Sequence, residues 1–416
     1  MCGVPVVATM SLVGLVGITV TSGTQLWPTL GDIVWNTINA FTLTAVPLFV
    51  LMGEIILRSG ASSRFYQGVS VLLARVPGRL AQANIMACAL FSAISGSSTA
   101  TALTIGTVAL PEMRKRGYDD ALTLGTLTGG GALGNLIPPS IFLLVYAAVV
   151  QASVIDLFVA TILPGIVAVI MFMTYVGWKA LRNPSLLPAR APRHSGRQIA
   201  IALWQCVPVT LLITAIIGGM YFGVVTPTEA AGFGCAAALV LSAFYRELTW
   251  RKFQTSLVAS IAVSSVVMLI IVAGQMLNFA VVEAGIGREM AKYLAVQSLS
   301  PFLFFTALFI LYLVLGTFLD GISMMMLTVP VLFPTLKAMG FSEVWFGVIL
   351  VIQAELAQLS PPIGLNLFAV QSIARDVSLS TIAWASLPYA VMLCVLSYLL
   401  YYFPDLALWL VATMKD

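Results

Sequence analysis

Apolar residues run along the chain in long, nearly uncharged stretches broken by short polar connections. Such stretches occupy about 3–22, 41–58, 119–150, 154–181, 198–222, 226–245, 254–277, 343–373 and 379–403. About 20 apolar residues carry one helical crossing of a bilayer, so nine full crossings are expected. The runs are continuous and do not alternate, which excludes the roughly 10-residue alternating strands of a membrane β-barrel. The pattern predicts an all-α polytopic membrane protein.

Two further stretches do not fit a single crossing. Residues 80–115 have Arg75 and Arg79 before them and Arg114, Lys115 and Arg116 after them, so both ends belong on one side. Their middle, FSAISGSSTATA, is rich in Gly and Ser. We expect a re-entrant helical hairpin here and a second at 300–338. Ahead of each lies a less apolar segment, 61–75 and 283–297, which reads as an interfacial amphipathic helix. Such an arm either braces a moving part against a fixed one or is a surface helix without a mechanical role.

The chain repeats itself. Pro111, Gly117, Pro138 and Pro139 recur as Pro334, Gly340, Pro361 and Pro362, each pair 223 residues apart. Arg114 then aligns with Lys337, Tyr118 with Phe341 and Leu136 with Leu359; with small shifts, Pro164 pairs with Pro388 and Gly53 with Gly274. Gly and Pro constrain the backbone in ways other residues do not mimic, so these matches mark two halves of one fold. The first repeat is 1–181, the second 198–416, and 182–197 joins them. In the first, scaffold helices 3–22, 41–58 and 154–181 surround the arm, hairpin 80–115 and a broken helix at 119–150. In the second, scaffold helices 198–222, 226–245, 254–277 and 379–403 surround the other arm, hairpin 300–338 and a broken helix at 343–373.

Charge fixes the orientation. The segment Lys179 to Arg197, which contains the join, carries Lys179, Arg182, Arg190, Arg193 and Arg197, no acid, and Pro184, Pro188 and Pro192. Basic loops stay in the cytoplasm. Counting crossings outward from this loop places 16 of the 20 Lys and Arg on the cytoplasmic side, leaving Arg288, Lys292, Lys337 and Lys415 outside. The two halves are then inverted, and the second hairpin enters from the opposite face.

Composition removes whole classes of function. The 416 residues are 60% hydrophobic and 9% charged, against roughly 45–50% and about 25% in a soluble domain. A soluble enzyme or nucleic-acid binder could not cover its surface with so few polar groups. Residues 1–31 carry no charged side chain, so no basic n-region marks a signal peptide. Cys2, Cys88, Cys206, Cys235 and Cys394 lie scattered without a CxxC, and His194, the one histidine, sits in the basic loop. Neither a disulfide frame, a metal cluster nor histidine catalysis is indicated. No Walker motif offers ATP as an energy source.

The remaining chemistry lies at the breaks. The first tip is Ser95-Gly96-Ser97-Ser98, and repeat logic sets it opposite GNLIPPS, Gly134 to Ser140. The second tip, Leu315 to Gly321, faces AQLSPPIGLN, Ala357 to Asn366. Paired prolines remove two backbone donors and free carbonyls a turn earlier. Non-helical backbone at membrane depth persists only where it is buried or lines a cavity, and broken helices there bind ions and substrate in transporters. Each pair offers hydroxyls and bare carbonyls with almost no net charge, which suits Na⁺ better than a divalent ion. Ser and Gly also serve close helix packing; their recurrence at both tips favours the ion reading. Among intramembrane acids, Asp320 is the best candidate for an ion or tip-stabilising role. Glu355 faces the substrate cavity or takes a proton. Glu54 and Glu229, near helix ends, are expected to cap or pair.

At these residues the chain resembles the large membrane subunit of TRAP transporters, the tripartite ATP-independent periplasmic systems. AISGSSTATALTIGTVALPEMRKRGYD, GNLIPPSIFLLVY, TPTEAAGFG, LGTFLD and LSPPIGLNLF follow that family's order across essentially the whole chain. The resemblance implies an elevator-type transporter of the bacterial inner membrane with two Na⁺ sites. One would use Ser95, Ser97, Gly134, Ile137 and Pro139; the other Phe318, Asp320, Ala357, Ser360 and Pro362, many through main-chain oxygen. Substrate would sit near Ser98, Thr99, Gly321 and Asn366. It further implies a separate small four-helix membrane subunit, a periplasmic substrate-binding protein and a small organic-acid substrate. One departure is that the family usually carries another hydrophobic helix before Gly3-Val4-Pro5, so either the start is short or that helix is dispensable scaffold.

The leading expectation is therefore a sodium-coupled secondary transporter subunit. The alternative is a dicarboxylate or ion symporter or antiporter of the same architecture that needs no binding protein. An intramembrane enzyme would need a clustered nucleophile, base or metal set, which the chain lacks. A channel fits paired broken helices less well than alternating access does.

Overall fold

The computed structural model describes residues 5–188, 194–287, 289, 292, 300–362 and 364–415. Much of the expected second arm, and Arg190 and Arg193 of the basic loop, lie outside the described residues.

The described chain is helical throughout. The first half holds α1 (Val6–Ser22), α2 (Trp27–Ile38), α3 (Ala45–Arg58), α4 (Ala61–Leu72), α5 (Leu80–Ser95), α6 (Ser98–Lys115), α7 (Asp120–Gly131), α8 (Ile141–Val150) and α9 (Val154–Arg182). The second half holds α10 (Gly196–Tyr221), α11 (Pro227–Phe244), α12 (Trp250–Glu283), α13 (Pro301–Gly316), α14 (Gly321–Ala338), α15 (Glu343–Gln358), α16 (Leu365–Ile373), α17 (Leu379–Tyr402) and α18 (Asp405–Lys415).

Side-chain caps set many of these starts. A short polar side chain at the N-cap accepts a bond from one of the helix's unpaired N–H groups. Ser97 and Asp320 cap α6 and α14, and Asp119 and Ser342 cap α7 and α15. Each pair of caps is 223 positions apart (320 − 97 and 342 − 119). The α6 and α14 bounds, 98–115 and 321–338, keep the same offset at both ends. Gly117 and Gly340, which turn the chain after these helices, share φ values of 78° and 79°.

Apolar side chains face outward on the long helices. Leu211 and Trp204 of α10 are 65% and 69% exposed, and Val266 of α12 is 55% exposed. In water such faces would be unstable; against lipid they are the expected surface. Eight described helices are long and apolar enough to cross a membrane, one being the 33-residue stretch Val6–Ile38. The sequence pattern predicts nine crossings. The difference arises at 119–150 and 343–373, whose helices are interrupted, and at Gly321–Ala338, which qualifies by length as one arm of a hairpin.

Helix packing sorts the chain into two groups. α1, α2, α3 and α11 gather around α12 and one another, and α4 lies on α10. The hairpins α5–α6 and α13–α14 and the interrupted helices α7–α8 and α15–α16 form the other group. The sequence reading places 154–181 and 379–403 with the scaffold, but α9 and α17 pack among the hairpins and interrupted helices. A methyl on Gly125 would lie 2.5 Å from the Ala385 carbonyl oxygen, and one on Gly129 would lie 2.3 Å from the Tyr389 ring. α7 and α17 are thus in backbone-level contact, which small residues permit.

The groups meet where α3 and α4 touch the first hairpin and α12 touches α14. Gly53 and Gly274 both sit on this boundary. A methyl on Gly53 would come 3.2 Å from Ser95 Cα, and one on Gly274 would strike the Met326 side chain. Tyr66 of the arm α4 donates to Asn84 of α5 at 2.8 Å, and Asn84 donates to Thr126 of α7 at 3.0 Å. At the end of α6, Arg114 reaches Asp120 and Asp376, each at 2.9 Å. The Arg114 guanidinium holds Asp376 below its ordinary carboxylate range.

Candidate functional site

The first tip closes on the first break. A methyl on Gly134 would fall 2.2 Å from Ser98 Cα, and one on Gly96 would fall 3.0 Å from the Pro139 carbonyl oxygen. Only glycine permits this approach, so Ser97, Ser98, Gly134 and Pro139 share one small volume. Ser95 Oγ lies 2.7 Å from Thr101 Oγ1 and donates to the Ser97 carbonyl at 3.2 Å. Ser97 caps α6 through the Ala100 N–H. Ser95 and Ser97 line a cavity of about 80 Å³ together with Gly53, Glu54 and Thr104. The Ile137 side chain packs toward Gly165 of α9, where an added methyl would lie 3.3 Å from its Cγ1.

The second tip is built alike but lies more open. A methyl on Gly316 would meet Ala357 Cβ at 2.0 Å, and one on Gly321 would meet Ala354 Cβ at 3.0 Å and the Phe142 ring at 3.3 Å. Asp320 Oδ1 accepts from the Ile322 and Ser323 N–H groups, each at 3.1 Å. Its carboxylate therefore sits at the N-terminal end of α14, where the helix dipole favours negative charge. Phe318 is 50% exposed. Ser360, Pro361 and Pro362 line a groove of about 470 Å³ with Leu379, Ala383 and Trp384. Ser360 Oγ donates to the Leu356 carbonyl at 2.9 Å. No described contact joins Phe318 or Asp320 to Ser360 or Pro362, so the second residue set is gathered less closely than the first.

Between the tips lies a buried polar centre. Ser98 is 1% exposed and Glu355 is fully buried; Asn366, fully buried as well, lies at the start of α16 just past the second break. Glu355 Oε1 accepts from Ser98 Oγ at 2.5 Å, from Asn135 Nδ2 at 2.6 Å and from the Asn135 N–H at 3.2 Å. Neither the nitrogen nor the oxygen of the Asn366 amide has a bonding partner among the described residues. Buried polar groups are nearly always paired, so a free buried amide asks for a ligand or water. Thr99 is half-buried one position beyond Ser98. The four residues expected at the substrate thus lie along two helix starts, α6 and α14, and at the second break.

The tips themselves are legible in the sequence. What it leaves out is the bridge from Glu355 to Asn135, whose partners lie 220 positions apart. Asn135 is visible within GNLIPPS, and Glu355 as an acid in an apolar helix, but no pattern joins them. Glu54 pairs with Arg58 one turn on. Glu229 forms a capping box with Thr226. Both therefore cap or pair, as their place near helix ends predicts.

An all-helical chain with apolar outer faces, two hairpin tips and two interrupted helices around a buried polar centre is a polytopic membrane transport protein. The family described as "Tripartite ATP-independent periplasmic transporter, DctM component" matches residues 1–406. The chain belongs to this family of large permease subunits, which are transporter components of the inner membrane and not enzymes. It is 32% identical to the C4-dicarboxylate TRAP transporter large permease protein of Rhodobacter capsulatus, over 89% of this chain and 87% of that protein. It is likewise 32% identical to the sialic acid TRAP transporter large permease protein of Vibrio cholerae, over 89% and 86%. The ectoine/5-hydroxyectoine TRAP transporter large permease protein of Ruegeria pomeroyi is 29% identical, over 90% and 86%. In fold the chain is similar to the YdaH transporter of Alcanivorax borkumensis, with a TM-score of 0.65, 13% identity and 98% of each chain covered. MtrF of Neisseria gonorrhoeae is similar with a TM-score of 0.60, 13% identity, and 98% and 93% covered.

Proposed function

We propose that the chain is the transport subunit of a sodium-coupled importer of a small organic acid. The substrate reaches it from a periplasmic binding protein, and a separate small four-helix membrane subunit completes the assembly. The names of the relatives support an organic acid, since they include a C4-dicarboxylate, sialic acid and ectoine. The family's own description, tripartite and periplasmic, supports the two partners. Na⁺ would bind where each tip meets its break: Ser95, Ser97, Gly134, Ile137 and Pro139 at the first, Phe318, Asp320, Ala357, Ser360 and Pro362 at the second. The substrate would lie near Ser98, Thr99, Gly321 and Asn366, its carboxylate drawn to the helix starts of α6 and α14.

The observation that carries this reading is the free, buried amide of Asn366 at the start of α16, just past the second break, in the packed body that holds both tips. Inverted repeats are supported by the 223-residue offset of caps, helix bounds and glycines, together with the charge asymmetry. The same packing supports an elevator in which α5–α9 and α13–α18 travel together past α1–α4 and α10–α12. α9 and α17 belong to the moving group on this account.

The test is uptake by proteoliposomes holding this subunit and its small partner, with the binding protein added outside. Uptake of the ligand that the binding protein carries should rise steeply with external Na⁺ and vanish when the binding protein is omitted. Full uptake in Na⁺-free medium under a proton gradient would refute the coupling. Full uptake without the binding protein would favour an independent symporter or antiporter.

A further inference from the structure

A single turn of α15 touches both tips. Ala354 lies against Gly321, and Ala357 lies against Gly316. Between them Glu355 crosses to the first half of the chain, where Oε1 takes hydrogen bonds from Ser98 and from the main-chain and side-chain nitrogens of Asn135. Asn135 Nδ2 also donates to Ser98 Oγ at 2.9 Å, which closes a ring of three side chains. Glu355 is fully buried, and Oε2 has no partner among the described residues. All the described donors therefore converge on one oxygen. The repeat-equivalent position in the first half is Ala132 (355 − 223), so the link has no twin.

We propose that Glu355 is a positioning residue that fastens the first tip and the first break to the turn of α15 carrying the second tip. The two ion sites are then assembled as one unit, and filling one prepares the other. Three directional bonds on Oε1 fix where Ser98 and Asn135 sit relative to α15; without the acceptor, the buried Ser98 and the partly buried Asn135 lose their shared partner and the first tip is free to shift. The role needs an acceptor oxygen at the reach of a glutamate side chain, two methylenes beyond the backbone. It does not need the second oxygen, which nothing described engages. The proposal rests on the sodium-coupled reading and adds the residue that joins its two sites.

Two conservative variants separate positioning from a charge or proton role. Glu355→Gln keeps the acceptor at the same reach and removes the charge. Glu355→Asp keeps the charge and shortens the reach by one methylene. In the reconstituted transporter, Glu355→Gln should keep a cooperative Na⁺ activation curve, with half-saturation within about threefold of the parent. Glu355→Asp should lose the cooperativity, its Hill coefficient falling to about one, and raise half-saturation by about tenfold. Melting temperatures of both purified variants check that each is folded. The reverse order, with Asp active and Gln inactive, overturns the proposal in favour of a charge or proton role. Equal loss or equal retention by both also overturns it. If the parent itself takes up substrate without Na⁺, the coupling has failed and not the link. The same pair is then read on the KM and Vmax for substrate, where Gln should stay near the parent and Asp should not.

Discussion

At the scale of single residues, the two tips solve one problem with different side chains. Ser97 and Asp320 are 223 positions apart, and each caps the helix that follows its tip. An ionised carboxylate within a membrane costs at least about 2.5–3.5 kcal/mol on insertion scales. The N-terminal end of α14 offsets part of that, and on the proposed reading a bound Na⁺ offsets the rest. Asn caps as well as Asp does, whereas Ala forfeits about 1 kcal/mol. Asp320→Asn should therefore insert and melt near the parent yet need more Na⁺ for half-maximal uptake. Asp320→Ala should lose stability as well. Identical Na⁺ curves for Asp320→Asn and the parent would take Asp320 out of the ion site. Glu54→Gln should leave Na⁺ activation nearly unchanged, since Glu54 is engaged with Arg58. Gly134 gives a second test, because a methyl there would press on the Ser98 backbone at 2.2 Å. Overpacking of this kind costs about 1–3 kcal/mol. Gly134→Ala should lower the melting temperature and stop uptake, while Gly232→Ala, with no atom within 4 Å, should do neither. The Gly–Pro breaks could be read from the sequence because local backbone chemistry writes them. The Asn135–Glu355 contact could not, because it depends on how the two halves dock.

At the scale of elements, hydropathy marks where a helix crosses but not what it packs against. That is why α9 and α17 read as scaffold by sequence and yet lie against α15 and α7. The deciding features, Gly125 and Gly129 against Ala385 and Tyr389, are small residues whose meaning appears only once their partners are known. α2 goes unread for another reason. Residues 27–38 mix Trp27, Asp32, Trp35 and Asn36 with apolar positions, so they form no clean apolar run. α18 spans 11 residues, too short to cross a bilayer. The contact of α3 with the first tip offers an element-level test. Gly53→Leu should insert but arrest uptake, because a bulky side chain would wedge between α3 and Ser95; transport at the parental rate would show that this boundary does not slide. Arg114 ties α6 to the segment after α16, and its effect has a defined pH dependence. The folded-state pKa of Asp376 lies below its ordinary 3.8. The contribution is therefore present above that ordinary value and is lost as pH falls through the lowered one. The melting-temperature gap between the parent and Asp376→Asn should hold steady from about pH 9 down to about pH 5 and close only in stronger acid. A gap that closes instead near neutral pH would assign the effect to another group.

At the scale of the whole molecule, the account holds that the tips, the breaks and helices α9 and α17 form one body carrying both ion sites past the remaining helices. Each tip closes on the break of its own half, and Glu355 ties the halves together, so no gap between repeats runs through the sites. A rocking mechanism would split them along that boundary; an elevator moves them intact. The most direct test is distance measurement between spin-label pairs in the reconstituted protein, with and without Na⁺ and substrate. One pair lies within the proposed moving body, at Ile310 of α13 and Phe368 of α16. The other spans the boundary, at Phe368 and Leu211 of α10. All three side chains are exposed and lie outside the candidate ion and substrate sets. The account predicts that the Ile310–Phe368 distance stays fixed while the Phe368–Leu211 distance changes by many ångströms between conditions. A change in the first distance with the second held constant would contradict it.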